Sequence, residues 1–379
     1  MTSWSAVNAR RMARHGLSDD PGPLGSLPEA AAAMAGGHAQ VMSAAEVSLA
    51  LRLAGATRAD VAHALWEERS LVKTFGPRGT VHVFATAELP WWMAALGSVP
   101  KRGGHVEGVR LTAGETDAVV AALDAVLRED DHTTEELDAH VADACGPWAA
   151  ELSMPAFGGF WPRWRQALGP AAVRGVLCFG PTRGRLVTYA SPSWWLGDRT
   201  LPAAEEAQLV LLRAYLAAYG PATPEHLARW LATSETWTRE LFARGELDEV
   251  ELDGAPAWVW RGDTAFDASA PPAVRLLPYF DAFQVGSQPR ALLFPGRAAE
   301  RALAGSQAGN YPVLLLDGVV GGVWHQKRSG TRVAVTVEPL GRMTKAQLAA
   351  LEVEVERLGA ILGARPDLTV GTVSVGPHA

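Results

Sequence analysis

The sequence contains few cysteines and no long apolar run, and these absences exclude several classes of protein. Only Cys145 and Cys178 occur among 379 residues, and they form no CxxC pair. This argues against a disulfide framework and against a thiolate zinc site, and it suits a reducing cytoplasm. No apolar run is long enough to span a bilayer, and the basic N-terminus has no apolar core. We therefore expect a cytoplasmic protein with no membrane partner.

The common catalytic signatures are missing as well. There is no GxxxxGK[ST] or GxGxxG motif for nucleotide phosphates, no GxSxG nucleophile elbow and no HExxH metal motif. The ten histidines do not cluster at metal-ligand spacings. We expect no metal and no cofactor, so any reaction that the protein catalyses must need few catalytic groups. An unrelated hydrolase that uses an aspartate or histidine elsewhere has no motif in its favour.

The net charge of −7 is unevenly distributed along the chain. Residues 112–151 hold eleven acidic residues and one basic residue, whereas the chain between Glu151 and Asp198 holds five arginines and no acid. Residues 275–345 hold nine basic and four acidic residues. Because the electric field depends on local charge, the two basic stretches are candidates for phosphate binding. The alternative is an ordinary solvated surface.

Three segments repeat one plan, in which a threonine-capped helix and a second helix precede a β-hairpin. Thr57, Thr133 and Thr223 each stand where a helix N-cap is expected. The second helix is predicted near 160–168 in the second segment and near 235–244 in the third. The predicted hairpins are 70–75 with 80–84 around GPRG, 174–179 with 185–189 around GPTRG, and 247–252 with 257–260 around Asp253-Gly254. Two helices and a two-stranded wing are typical of a winged-helix unit.

The C-terminal hundred residues have a different pattern, in which predicted strands dominate. Residues 313–316 and 319–324 flank Asp317-Gly318, which predicts a hairpin with a type I′ turn. A strand over 332–337 and a helix over 344–358 follow. The predicted fold class is α+β, with three tandem winged-helix units and a small C-terminal β-barrel-like module that has one helix. The predicted boundaries are 1–110, 111–198, 199–272 and 273–379.

One polar pair near the N-terminus stands out. His38 and Gln40 follow a Gly-Gly break and precede a predicted helix, for which Ser43 is the expected N-cap and Glu46 the N3 partner. In extended chain, positions i and i+2 point the same way. The two side chains are therefore predicted to converge on one small target, although an ordinary polar approach to a helix is the alternative.

These and other segments resemble the AlkZ-like DNA glycosylases. The resemblance rests on HAQ leading into SAAEVSLALRL, on RGTVHVF (78–84), on LLPYFDAF (276–283) and on YPVLLLDGVVGGVW (311–324). It implies three winged-helix units and a C-terminal β-barrel, as the patterns above predict. It also implies that the family's catalytic Gln-x-Gln motif falls on His38 and Gln40, with histidine replacing the first glutamine. His-x-Gln resembles a variant found in some antibiotic-producer paralogues.

The resemblance implies a monofunctional DNA glycosylase that removes alkylated purines of the N7-alkylguanine type, including bulky natural-product adducts, for self-resistance or base excision repair. Alkylation makes the base cationic, so it departs without a strong acid. Gln40 would orient a water and a neutral His38 would accept its proton. With no lysine at the motif, no lyase step is predicted. The partner is double-stranded DNA carrying alkylated purines, and a monomer is expected. The alternative is a non-catalytic winged-helix DNA-binding or regulatory protein.

Further residues are candidates for DNA contact, each with an ordinary structural or solvated role as the alternative. Wing-tip arginines can reach phosphates, and aromatic rings beside arginines can stack on bases. The candidates are Arg78, His82, Arg163, Arg165, Arg183, Arg185, Trp161, Trp164, Lys327 and Arg328. Asp281 is expected mainly to support structure.

Overall fold

The computed structural model describes residues 2–18, 24–101, 108–156, 159–266 and 273–377. The chain is mixed α+β: helices alternate with small antiparallel sheets up to residue 266, and a larger sheet follows. Within the described residues, no helix is both long and apolar enough to cross a membrane. In the same residues, no group of three or more histidine, cysteine, aspartate or glutamate side chains is placed to hold a metal ion.

The first part of the chain places a three-stranded sheet among five helices. The elements are α1 Trp4–Arg14, α2 Leu27–Ala33, β1 Gly37–His38, α3 Met42–Ala50, α4 Arg58–Trp66, β2 Leu71–Phe75, β3 Val81–Ala85 and α5 Leu89–Ser98, with strand order β1-β3-β2. A capping box of Thr57 and Asp60 opens α4, as predicted. The predicted cap of α3 by Ser43 is wrong, because Val41 precedes that helix without a side-chain cap. Glu46 instead accepts a hydrogen bond from Arg58 Nε at 2.6 Å.

The second part is built on another small sheet. Its elements are α6 Ala113–Leu127, β4 His132–Thr133, α7 Thr134–Cys145, β5 Leu152–Ala156, β6 Gly159–Pro162, α8 Leu168–Val173, β7 Cys178–Phe179, β8 Thr188–Ala190 and α9 Pro192–Leu196, and its main sheet has the order β4-β8-β7. The predicted helix 160–168 is wrong at its start, because β6 pairs with β5 and a 3-10 turn, Arg163–Ala167, follows. The predicted strands 174–179 and 185–189 are shorter than expected.

The third part follows the predicted pattern closely. Its elements are α10 Ala204–Tyr219, α11 Pro224–Leu231, α12 Glu235–Arg244, β9 Leu247–Leu252 and β10 Ala255–Trp260. Thr223 caps α11, and α12 has the predicted bounds. Asp253 and Gly254 connect the two strands, both with positive φ. The predicted boundary at 272/273 adjoins residues 267–272, which lie outside the described residues.

The C-terminal part forms an open, half-barrel-like sheet of five strands in the order β11-β12-β13-β14-β15. Its elements are β11 Val274–Leu277, α13 Ala282–Gly286, α14 Arg290–Leu293, α15 Arg297–Ala302, β12 Val313–Leu316, β13 Val319–Ser329, β14 Arg332–Pro339, α16 Lys345–Leu362 and β15 Arg365–Val370. Positive φ at both Asp317 and Gly318 agrees with the predicted type I′ turn. The single predicted helix corresponds to α16, and three short helices are additional.

The parts of the molecule share cores and do not merely adjoin. Leu49 and Leu65 of the first part lie in one buried cluster with Trp324 and Leu358 of the C-terminal part. Burying such large apolar side chains is the main stabilising term of the fold. Helix α1 adds polar links, since its buried Arg11 donates to the Pro221 carbonyl at 3.0 Å and to the Gln288 carbonyl at 2.6 Å. The first, third and C-terminal parts are therefore fixed around a common region, and the polar pair lies there.

Candidate active site

The chain enters the site through a glycine that no other residue can replace without strain. Gly36 has φ +96°, and a Cβ there would lie 2.4 Å from the ring of Phe84. The next two residues form β1, in which His38 pairs with His82 of β3. The Ala39 N–H then donates to the Val81 carbonyl at 2.7 Å. The segment approaching α3 is therefore extended and fixed on the sheet.

The His38 imidazole is packed between two rings. It stacks on Phe280 with ring centroids 5.1 Å apart and planes 18° apart, and it meets His82 at 4.9 Å. The residue is 7% exposed, and its Nδ1 has no hydrogen-bond partner among the described residues. Burial, with the nearby charge of Arg78, lowers the pKa of His38 to about 4. The imidazole is consequently neutral at physiological pH and able to accept a proton.

Gln40 lies at the exposed end of the same strand segment. Its Oε1 accepts a long hydrogen bond of 3.4 Å from the Val81 N–H. His38 and Gln40 both line one cleft of about 410 Å³. The structure thus brings the predicted pair to one open space, and their catalytic roles stay a prediction.

Three arginines share that cleft, and only one was a candidate from sequence. Arg78 comes from the β2–β3 turn, Arg229 from α11 and Arg290 from α14. None of the described residues that line the cleft is acidic. His226 is also in the lining, and burial, with Arg11 and Arg229, lowers its pKa to about 4. The cleft therefore combines a net positive charge with neutral imidazoles.

A buried ion pair supports the ring that stacks on His38. Phe280 has φ 55°, uncommon for a residue with a side chain, and its N–H donates to the Gly309 carbonyl at 3.0 Å. The adjacent Asp281 is buried, accepts two hydrogen bonds of 2.9 Å from Arg52 and caps α13. Burial opposes ionisation of Asp281, but Arg52 and the hydrogen bonds hold its pKa below the usual value. The expectation that Asp281 supports structure agrees with this geometry.

Two of the side chains predicted to contact DNA are buried. His82 is 3% exposed, lies behind His38 and bonds through Nδ1 to the Thr80 carbonyl at 3.0 Å. Trp164 is buried, and its indole N–H donates to Asp138 at 2.7 Å. Neither ring is available to touch a duplex in this conformation. Both belong to the support of their units.

Three of the four candidate arginines in the second part pair with acids, and none of the four lines the cleft. Arg163 pairs with Glu115, Arg165 with Asp138, and Arg183 with Asp131 and Glu136. The expected segregation of charge is therefore wrong for this stretch, since acids of residues 112–151 fold onto it. Arg185 is exposed.

The remaining candidates are exposed but do not line the cleft. Trp161 is 45% exposed, and the Arg165 guanidinium lies 5.7 Å from the centre of its ring. Lys327 and Arg328 lie near the turn between β13 and β14, where Arg328 donates to the Leu362 carbonyl at 2.9 Å. Their contribution to DNA binding stays a prediction.

Sequence reasoning missed His226, Arg229, Arg290 and Phe280 as residues of the site. Arg229 and Arg290 stand on elements distant in sequence from the motif, and no local spacing connects them to it. The only signal was that Phe280 belongs to the LLPYFDAF segment of the family resemblance.

Comparison with known proteins defines the class and then the family. The fold is similar to that of Streptomyces sahachiroi DNA glycosylase AlkZ, with a TM-score of 0.78 and 27% identity, over 98% of this chain and 100% of that chain. This chain is 32% identical over 350 residues to the interstrand DNA cross-link repair glycosylase of Streptomyces sahachiroi, covering 85% of this chain and 87% of that protein. The protein is a DNA glycosylase.

The family model described as DNA glycosylase AlkZ-like matches residues 31–361. The chain belongs to the AlkZ-like DNA glycosylase family, which confirms the resemblance found in the sequence.

Proposed function

We propose that this enzyme hydrolyses the N-glycosidic bond of alkylated purines in duplex DNA, with His38 and Gln40 holding the attacking water. The observation that carries the proposal is the placement of a neutral imidazole and a carboxamide on one cleft whose described lining is basic and contains no acid. An N7-alkylated guanine is already cationic and leaves without a general acid. A site without a carboxylic acid suits that chemistry.

The two side chains have complementary roles in this proposal. The Gln40 amide donates and accepts at once, which orients a water beside the sugar. His38 is neutral and accepts the proton as the water attacks C1′. Fixing the water against the sugar supplies much of the rate, because the encounter is already organised. The stacked Phe280 ring holds the imidazole in its plane.

Substrate size is the second part of the proposal. The Streptomyces sahachiroi relative is described as an interstrand DNA cross-link repair glycosylase. We propose that the present enzyme likewise accepts bulky N7 adducts of natural products and serves self-resistance or base excision repair. The cleft of about 410 Å³ that His38 and Gln40 both line supports this proposal.

The architecture belongs to the same proposal. We infer that the three helix and hairpin segments, over 1–110, 111–198 and 199–272, are winged-helix units, and that 273–379 is one C-terminal module. A single chain supplies His38, Arg229 and Arg290 to one cleft, so the site needs no second copy. We therefore propose that the enzyme acts as a monomer on cytoplasmic DNA.

The test measures base release directly. Purified protein is incubated with duplexes carrying small or bulky N7-alkylguanine, and free base and heat-labile abasic sites are quantified against buffer. Release of intact base is expected, with strand breaks only after heating and no borohydride-trapped protein–DNA complex. Release no faster than in buffer for every adduct would overturn the substrate proposal. A sequence-specific shift of undamaged DNA that persists in a His38→Ala/Gln40→Ala variant would then favour a binding protein.

A further inference from the structure

The three arginines of the cleft come from three separate parts of the fold, yet all three line the same cleft. Arg78 is held in the β2–β3 turn with φ 60°, Arg229 lies in α11, and Arg290 opens α14. Each lines the cleft that also contains His38 and Gln40. Tertiary structure alone brings these charges together, so their proximity is a property of the folded site.

The partners of Arg78 and Arg290 hold the guanidinium groups without neutralising them. Arg78 Nη1 donates to the Trp230 carbonyl at 2.7 Å. Arg290 donates to the Val285 carbonyl at 3.0 Å and also to the Gln284 carbonyl. In the part of the chain that the structure describes, no carboxylate forms an ion pair with either residue. Carbonyl groups fix a planar guanidinium in place but leave its full positive charge.

The third arginine is only partly neutralised. Arg229 Nη2 pairs with Glu225 at 2.7 Å one helical turn earlier, and both side chains are more than half exposed. The attraction within such a solvated ion pair is weak, so Glu225 cancels little of the positive field that Arg229 directs toward the cleft. Its Nη1 lies 3.5 Å from the Gln288 Oε1, an uncharged partner.

The charges of Arg229 and Arg78 both act on Arg290. Burial, followed by the charges of Arg229 and Arg78, lowers the pKa of Arg290 to about 10. The buried Arg11 lies beneath the same region, where it donates to the Gln288 carbonyl at 2.6 Å. Bringing like charges together is unfavourable. An anion bound among them would remove that repulsion.

We propose that Arg78, Arg229 and Arg290 form a binding subsite for a backbone phosphodiester of the DNA strand that carries the target nucleotide. Each guanidinium has five N–H donors, of which the contacts above use one or two, so donors remain for phosphate oxygens. A phosphate held there sets the neighbouring deoxyribose against His38 and Gln40. The identity of that sugar rests on the proposed function, whereas phosphate binding itself does not.

The first experiment measures binding without turnover. The probe is a short duplex with a central tetrahydrofuran abasic-site analogue, and Kd is determined over a range of salt concentrations. The variants are Arg229→Gln and Arg290→Gln. The matched control is Arg239→Gln, because Arg239 forms the same exposed i,i+4 pair, with Glu235, but does not line the cleft.

Loss of one phosphate contact should reduce the slope of log K against log salt by about 1. It should also weaken binding roughly tenfold, as expected for one charge-assisted hydrogen bond. The Arg239→Gln control should have the salt slope and the Kd of the wild type. Wild-type slopes in Arg229→Gln and Arg290→Gln, or equal losses in Arg239→Gln, would overturn the proposal.

The second experiment separates a phosphate contact from a structural effect. A neutral methylphosphonate replaces each phosphate in turn on both sides of the abasic analogue. Wild-type protein should lose affinity at one or two positions, and Arg229→Gln should lose less affinity at those positions, because one of its three phosphate contacts is already missing. If the variant loses affinity at those positions as the wild type does, the subsite does not exist. Because only binding is read, a failure of base-release chemistry leaves this result unaffected.

Discussion

At the residue scale, the proposed role of His38 requires an imidazole that the fold keeps neutral. The sequence predicted that His38 and Gln40 form a pair, because they stand two residues apart after a Gly-Gly break. The protonation of His38 could not be predicted, because burial comes from Phe280 and His82, which are far away or on another strand. The nearby Arg78 lowers the pKa further. A histidine at this position is thus compatible with the proposed base chemistry at neutral pH.

The pH profile of base release tests this state. His38 must be unprotonated to accept a proton, and its pKa is about 4. The single-turnover rate should therefore stay flat from pH 8 to about pH 5 and fall as pH drops through about 4. Rates are corrected for acid release in buffer. A midpoint near 6.5, the ordinary histidine value, would contradict the account.

Arg78→Gln is the companion change. Removing the positive charge should raise the pKa of His38, so the acid limb should move to higher pH, whatever happens to the maximal rate. The measurement is the midpoint of the same profile. An unmoved midpoint would show that burial alone sets the pKa.

Other residues show why charge counts along the sequence did not predict which arginines are free of acidic partners. Arg163 and Arg165 lie in a stretch without acids, yet their partners Glu115 and Asp138 come from helices earlier in the chain. Local charge counts do not record such pairing. Conversely, Arg290 stands near Asp281 in sequence, but that carboxylate binds Arg52 and leaves the arginine to the cleft.

At the element scale, local signals predicted local structure well. The Asp317-Gly318 turn, the Thr223 cap and the bounds of α12 follow from residues adjacent in sequence. The helix predicted over 160–168 failed where Pro162 disfavours helical geometry in the residue before it. There, pairing of β6 with β5 satisfies the backbone instead. No local pattern showed that the residues before α13 would place the Phe280 ring against His38.

Asp281→Asn tests the support that the start of α13 gives to the site. The substitution leaves Arg52 buried without a counter-charge, which should lower the free energy of unfolding by about 3–5 kcal/mol. Base release should slow as Phe280 loses its fixed position against His38. Unfolding is followed by chemical denaturation, and release by single-turnover assay.

The control is Glu338→Gln, which disrupts the partly exposed Arg301–Glu338 pair away from the site. It should cost less stability and leave release unchanged. Equal effects of the two variants on release would show that the Asp281 network does not position the site.

At the scale of the whole molecule, the pH dependence of stability comes from buried histidines that include His38. Burial lowers the pKa of His15 to about 3 and, with nearby arginines, of His38 and His226 to about 4. The unfolded chain binds more protons than the folded one between those values and about 6.5. The free energy of unfolding should therefore rise with pH across this window.

Chemical denaturation at pH 5 and pH 7 measures this dependence. Stability at pH 5 should be lower by about 2 kcal/mol for each histidine that stays neutral in the fold. His15→Phe, which removes one such group from the core, should reduce the difference. Equal unfolding midpoints at both pH values would contradict the burial of neutral imidazoles.

The family and the α+β class were predictable from sequence, because they rest on residues close together in the chain; the catalytic roles of His38 and Gln40 stay a prediction. The cleft was not predictable, since it needs Arg78, Arg229 and Arg290 to meet across three parts of the fold. The segment plan predicted that small sheets and helices repeat. It did not predict how the shared cores orient them around His38.

The most direct test of the central claim is single-turnover release of N7-alkylguanine by His38→Ala and Gln40→Ala, with Kd for the abasic duplex measured alongside. Each variant should lose about a hundredfold or more in rate while binding is retained, as expected when a positioned base or its water is removed. His38→Gln gives the Gln-x-Gln pattern that the resemblance implies; it can position the water but cannot accept its proton, so it should release base faster than His38→Ala and more slowly than the wild type. Wild-type release by both alanine variants would contradict the account.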